Sequence, residues 1–277
     1  MFTLLMAKRL SLTTRWSNTP YEKGAMGICQ ELIHKWGQDF LLKDLTAQMV
    51  IDWRLELLSR GNKPSTVNKK VAAIRALLTD AYECGHLAQV PLMPRNLPVK
   101  NNERRAFTDD EIKAVCEYFR QRNQPAMADL FIFMLETATR GGEVRRLRAK
   151  DCDFKRGSCT FWETKNGEPR SIPLTKTAIK AVRPYTTHLG VEDLVWSIKY
   201  HTFRRLLNGA KKSIGVDDPR LTLHSSRHTC ASKLGASGIP ERKLMMFGGW
   251  KSYSSVKRYI HLNTEALSDC VEALETR

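Results

Sequence analysis

The chain has 277 residues, beyond the usual size of one domain, so two are expected. At 42% hydrophobic, with six tryptophans and ten phenylalanines, it carries enough apolar side chains for a real core, which excludes a disordered polycation. A formal charge of +16 points to a polyanionic partner, nucleic acid ahead of membrane surfaces and acidic proteins, because neutralising each phosphate releases condensed counterions.

The apolar start Phe2 to Met6 runs into Lys8-Arg9 and is too short for a signal-peptide core. No window approaches the roughly eighteen apolar residues of a membrane span. A soluble cytoplasmic protein with no membrane partner is expected. Met49, Trp53, Leu57 and Leu58 then recur at helical spacing. Ser65-Thr66 is expected to cap a further helix in which Val67, Val71, Ile74, Leu78 and Ala81 share one face, stopping near Gly85. Lys63, Lys69, Lys70 and Arg75 decorate this unit and are candidate DNA contacts; a solvated polar face is the competing reading for each lysine. Pro91, Pro94 and Pro98, followed by a polar, charged run to Arg105, read as a linker, because proline removes a backbone donor and the run offers little to bury. The expected division is a helical DNA-binding domain over 1–98, a linker over 99–105 and a second domain over 106–277.

The second domain opens on a capping box, Thr108 with Glu111, and a hydrophobic staple, Phe107 with Ile112. An apolar helix is expected from Met127 to Glu136. Between Ser158 and Leu174 the period changes, and the turn signal Asn166-Gly167 predicts a β-hairpin. From Tyr200 onward short helices return, broken by Gly215, Gly235, Gly238 and Gly248-Gly249. The fold class is therefore mainly α with a small antiparallel β-sheet (α+β). The seven cysteines are scattered and form no C-x-x-C pair, so neither a disulfide framework nor a zinc ribbon is expected. His224 and His228 with Cys230 nearby offer a zinc reading, but no further ligands stand at metal spacing.

Cleaving a phosphodiester without a metal requires an in-line nucleophile, a proton for the leaving oxygen, and cationic donors for the charge on the phosphoryl oxygens. Arg suits the last task, because its planar fork donates two hydrogen bonds and keeps its proton. The sequence presents such groups in order: Thr137-Ala-Thr-Arg140-Gly-Gly-Glu143, Lys165 at the predicted hairpin tip, His224-Ser-Ser-Arg227-His228, Gly249-Trp250, and Lys257-Arg258-Tyr259. Taken singly each is ordinary. Arg140 reads as a helix cap, Lys165 as a turn lysine, Trp250 as core, and Tyr259, with a phenol pKa near 10, as a structural tyrosine. Tyr253 is a rival nucleophile, but it lacks the Arg-Tyr setting. Joint occurrence in order overrides the separate readings.

In that order these residues resemble a tyrosine recombinase of the phage integrase family, over nearly the whole chain. The resemblance implies a two-domain C-shaped DNA clamp with the family's catalytic fold, acting as a site-specific DNA recombinase or integrase of bacterial or phage origin. Tyr259 would form a 3′-phosphotyrosine and release a 5′-hydroxyl. Arg140 and Arg227 would clamp the phosphoryl oxygens, Lys165 would protonate the leaving oxygen, and His224 would act as general base. Trp250 would contribute packing and its indole N–H, and Glu143 would orient the site. No metal, ATP or other cofactor is implied, because the covalent link conserves the bond energy. The implied partners are double-stranded DNA carrying a specific recombination site, a homotetramer on synapsed DNA, and accessory DNA-bending proteins.

The chain departs from the family pattern at Ala138-Thr139, at Gly141-Gly142, which is expected to make the turn after Arg140 unusually flexible, and at Ser226. Two other functions share some of these features. A type IB topoisomerase-like enzyme uses similar chemistry on one strand. A non-catalytic helix-turn-helix regulator would use helices at about Ser225 to Leu234 and Pro240 to Phe247. The tail from Asn263 carries Ala266, Leu267, Cys270, Val271 and Leu274 at helical spacing, expected to pack on its own domain or on a neighbouring protomer. About 20 residues before the first core helix leave no room for an arm-site DNA-binding domain, so either simple recombination sites or an incomplete chain is expected.

Overall fold

The computed structural model describes residues 1–99, 104–162, 167–260 and 275. Lys165, Asn166 and every residue of the tail stripe lie outside the described residues. The chain divides into two compact units, Met1–Asn101 and Asn102–Arg277.

The first unit is helical. α1 (Leu4–Ser11) starts where the Thr3 hydroxyl accepts from the Met6 N–H at 3.3 Å, and a π-helical turn extends it to Trp16. Helix thus begins well ahead of the expected first core helix. α2 (Glu22–Trp36) and α3 (Ala47–Ser59) follow, the latter capped by Thr46. α4 spans Pro64–Glu83 with Lys63 at its N-cap, so Ser65 and Thr66 lie inside the first turn and do not cap it. Proline takes the start because its φ is preset and its missing N–H would be unpaired there anyway. The expected apolar face of α4 is buried, packed with Trp53 and Leu57 in the unit's core. The helix gives way at Cys84 and Gly85, whose φ is +74°.

The second unit surrounds an aromatic core that includes Phe119, Phe131, Phe133, Trp196 and Phe203. α5 (Asp109–Gln121) carries the Thr108–Glu111 capping box, and α6 (Pro125–Thr137) runs as the buried apolar helix. A short α7 (Gly141–Val144) leads to three antiparallel strands in the order β1 (Cys152–Asp153), β2 (Ser158–Phe161) and β3 (Arg170–Pro173). β2 and β3 form the expected hairpin, with Ser158 opposite Pro173 and Phe161 opposite Arg170. β1 has no strand signal in sequence; its two residues gain strand geometry only by pairing Cys152 with Cys159 and Asp153 with Ser158. After α8 (Lys176–Val182) come α9 (Tyr200–Ser213), α10 (Ser225–Ala236) and α11 (Glu241–Gly248).

Gly235 does not break a helix as expected; it lies within α10, which ends at Ser237 and Gly238. A side chain at Gly235 would collide with the backbone of Tyr259: a Cβ there would stand 1.8 Å from the Tyr259 carbonyl oxygen. Among the described residues, no helix is long and apolar enough to cross a membrane.

Candidate active site

α6 ends at Ala138 in the left-handed conformation, φ 51°, and the chain turns so that Arg140 becomes the N-cap of α7. Glu143 locks that turn, accepting from the Arg140 backbone N–H at 2.9 Å and from its guanidinium at 2.7 Å. Gly141 and Gly142 are thus the first turn of a helix rather than a loose hinge. At Gly141 a Cβ would lie 2.5 Å from the Tyr200 ring, a close approach that only glycine permits.

Glu143 is 3% exposed and also pairs with Arg170 on β3, 2.9 Å away. Burial alone would raise its pKa; the charge of Arg170 and the hydrogen bonds from Arg140 outweigh that and hold it below the usual carboxylate range. Arg170 is itself buried over the Phe161 ring and donates from Nε to the Phe247 carbonyl at 3.2 Å. No local sequence signal marks Arg170, because its partners Glu143 and Phe247 lie far along the chain. Arg140 also donates to the Gly249 carbonyl at 3.0 Å, which ties the α7 turn to the end of α11.

His224 and Arg227 share the start of α10, His224 as its N-cap. Arg227 is 2% exposed. It donates to the Ala138 carbonyl at 2.5 Å, and its guanidinium lies 3.8 Å over the Trp250 ring. Burial, then the charge of Arg140, lower its pKa to about 9, so it remains a cation at neutral pH. One terminal nitrogen, Nη2, is buried with no hydrogen-bond partner among the described residues. Trp250 reaches its place because Gly248 has no side chain; a Cβ there would sit 1.8 Å from the indole ring. His224 keeps more than a third of its surface exposed. Its pKa falls to about 4, by partial burial of the ring first, then by Arg104, Arg227 and Arg140. The exposed edge weakens the burial contribution, whereas the surrounding positive charge acts in the same direction regardless.

Tyr259 closes a 3₁₀ turn, Lys257–Tyr259, and is 7% exposed. Its hydroxyl meets His228 Nδ1 at 2.9 Å, and the two rings lie 4.9 Å apart. Trp250 flanks it with ring centroids 5.9 Å apart. Burial raises the phenol pKa against the opposing pull of Arg258, Arg227 and Arg104. Tyr253, the rival, is 48% exposed.

The structure therefore joins Arg140, Glu143, Arg227, Trp250 and Tyr259 through shared contacts, sets His224 among the same arginines, and adds Arg170 and His228. In sequence His228 carries no assigned role beside the zinc alternative; its i, i+4 spacing to His224 is the available signal. In the first unit Lys63 and Lys69 are exposed, Lys70 pairs with Glu31 at 2.5 Å, and Arg75 donates to the Pro94 carbonyl at 2.6 Å.

The model of the phage integrase family matches residues 105–266. The chain is 29% identical over 228 residues to the shufflon-specific DNA recombinase of Escherichia coli, covering 79% of this chain and 57% of that protein. It is 26% identical over 232 residues to the tyrosine recombinase XerA of Saccharolobus solfataricus, covering 81% and 78%. It thus spans little more than half the length of the first of these relatives. Among solved structures, the Tn1549 transposon integrase in complex with transposon right end DNA superposes with a TM-score of 0.82, covering 99% of this chain and 100% of that one; at 14% identity this likeness establishes the fold.

Proposed function

The chain belongs to the phage integrase family, and from that premise we propose that it is a site-specific recombinase that cuts and rejoins duplex DNA through a covalent bond to Tyr259. The observation that carries this reading is the paired cations around Tyr259. Arg227 is held rigid between the Ala138 carbonyl and the Trp250 face, with a buried donor left over. Arg140 is fixed beside it by Glu143 and the Gly249 carbonyl. Fixed donors of this kind stabilise charge on phosphoryl oxygens without reorganising during the reaction.

In this reading Tyr259 Oη attacks the scissile phosphorus and the 5′-oxygen leaves. Arg140 and Arg227 take the two non-bridging oxygens, His224 stands in the same positive field, and Lys165 protonates the leaving oxygen. Attack by the 5′-hydroxyl of another strand reverses the steps, so neither metal nor ATP is required. The first unit supplies DNA contacts from Lys63 and Lys69. Four protomers pair two sites, with accessory bending proteins as further partners. A helix-turn-helix regulator fits less well, because α10 turns Arg227 into the interior instead of toward a groove.

The test is a covalent-adduct assay in EDTA, using nicked duplexes from the DNA flanking the protein's own gene. A protease-sensitive slow band in wild type, absent from Tyr259→Phe, supports the reading. An adduct that persists in Tyr259→Phe, or no adduct on DNA that the protein demonstrably binds, overturns it.

A further inference from the structure

We infer that His228 is the general base for the nucleophile, its Nδ1 taking the phenolic proton as Tyr259 Oη bonds to phosphorus; this rests on Tyr259 being the nucleophile. Three independent contacts place the two groups. The hydroxyl and Nδ1 are 2.9 Å apart, within the reach required of a base. The Tyr259 backbone is seated against α10 at Gly235, which fixes where the side chain begins. The segment before α5 is pinned along α10 by the Phe107 N–H, which donates to the Thr229 hydroxyl at 2.9 Å, and this brings the Arg104 backbone to the His228 ring.

The Arg104 backbone bears on the tautomer. It favours the protonated ring, which is the signature of a carbonyl accepting from a ring N–H. With Nδ1 facing Tyr259, that N–H is Nε2–H, and Nδ1 keeps a free lone pair to accept from the phenol. Among the described residues, Tyr259, Arg258, Arg104 and His224 are the ionisable groups that act on the ring. Burial, then Arg258 and Arg104, lower its pKa below the ordinary 6.5, so the ring is neutral at pH 7 and free to accept. The phenol, by contrast, is pushed upward by burial and stays protonated until a base removes the proton. Among the described residues, His228 is the ring that meets the Tyr259 hydroxyl.

The step balances. The Tyr259 O–H bond breaks and its proton passes to His228, which becomes an imidazolium; Oη–P forms, P–O5′ breaks, and the leaving O5′ takes its proton from Lys165, the acid of the proposed reaction. On rejoining, the 5′-hydroxyl gives its proton back to Lys165 as O5′–P forms, Oη–P breaks, and the imidazolium returns its proton to the phenolate.

The test uses the full chain and a nicked duplex of its own site with a 5′-bridging phosphorothiolate, whose thiolate leaves without an acid. Adduct formation is timed from pH 5.5 to 9.5. Wild type should be level at neutral pH and slow below the histidine pKa. His228→Asn keeps an oxygen that can accept from the phenol but cannot take its proton. It should be roughly 10²–10⁴-fold slower at pH 7, with a rate that climbs toward the ionisation of the tyrosine itself. Added imidazole should restore part of the rate in His228→Ala, and unchanged DNA affinity shows that the variants are folded. His224→Gln should slow the reaction without removing the acidic inflection. A His228→Asn protein with the wild-type rate and profile would reduce the contact to a resting latch and overturn the inference, as would transfer of the inflection to His224. Either result leaves the Tyr259 adduct standing. An adduct that forms without Tyr259 would remove the nucleophile and the base together.

Discussion

The carbonyl oxygen of Tyr259 occupies the space where a side chain at position 235 would begin, 1.8 Å from an ideal Cβ on Gly235. Backbone here packs against backbone, so neither partner can yield by changing a rotamer. The residue proposed to attack phosphorus is therefore positioned by a missing methyl group on another helix.

Gly235→Ala tests this relationship. Helix propensity favours alanine by about 1 kcal/mol, but the collision forces the Tyr259 turn away at a cost of about 1–3 kcal/mol for overpacking. Adduct formation should fall at least 100-fold, on the order of a displaced catalytic group, while DNA binding persists. Gel-shift and adduct assays on the same DNA read the two effects apart. Wild-type cleavage by Gly235→Ala would show that the turn relaxes without moving Oη.

Arg227→Ala and Arg140→Ala should each lower cleavage by roughly 10²–10³-fold, as lost transition-state donors do, with DNA affinity nearly unchanged. Arg227→Lys should not rescue, because an ammonium cannot both lie flat over Trp250 and donate to the Ala138 carbonyl while offering a further N–H. A matching loss of affinity would assign these arginines to ground-state binding instead.

Arg170→Leu should destabilise the second unit, by about 3–5 kcal/mol at neutral pH, the cost of unpairing a buried charge. Glu143 would keep Arg140 alone, and the true cost falls toward the lower figure for that reason. The pH dependence has a definite sign. The Glu143 pKa is depressed in the folded protein below its ordinary 4.5, so its contribution is complete above that value and is lost as pH falls toward the folded pKa. Urea titrations should show a large difference between wild type and Arg170→Leu at pH 7 that narrows below pH 4.5. A difference independent of pH would mean that packing over Phe161, not charge, is what Arg170 contributes.

Lys63→Ala and Lys69→Ala should each lessen the salt dependence of DNA binding by about 0.9 in log–log slope, one phosphate contact apiece. Lys70→Ala should leave the slope nearly unchanged, because that ammonium is half-buried against Glu31. Slopes that respond to Lys70 and ignore Lys63 and Lys69 would reverse the assignment.

Much of this protein was legible one residue at a time. The Thr108–Glu111 box, the apolar face of α4 and the Ser158–Leu174 hairpin follow from preferences that act within a few residues, and such preferences survive in any fold. The ordered Arg140, Lys165, His224, Arg227, Trp250 and Tyr259 likewise announced chemistry before any geometry was known, since few functions need those groups in that succession. Where a local rule met a stronger neighbour, the expectation failed: Pro64 displaced the Ser65-Thr66 cap, and Gly235 continued a helix it was expected to end.

Only the tertiary structure decided which histidine meets the tyrosine, and what holds the arginines still. His228 and Tyr259 are 31 residues apart, Arg140 and Gly249 109, and each pair touches only after α6, α10 and α11 have packed. Residue type and spacing determine what a side chain can do, because that is a property of the group and its nearest turn. Which partner it does it with depends on how distant segments pack in space, and no short-range preference encodes that.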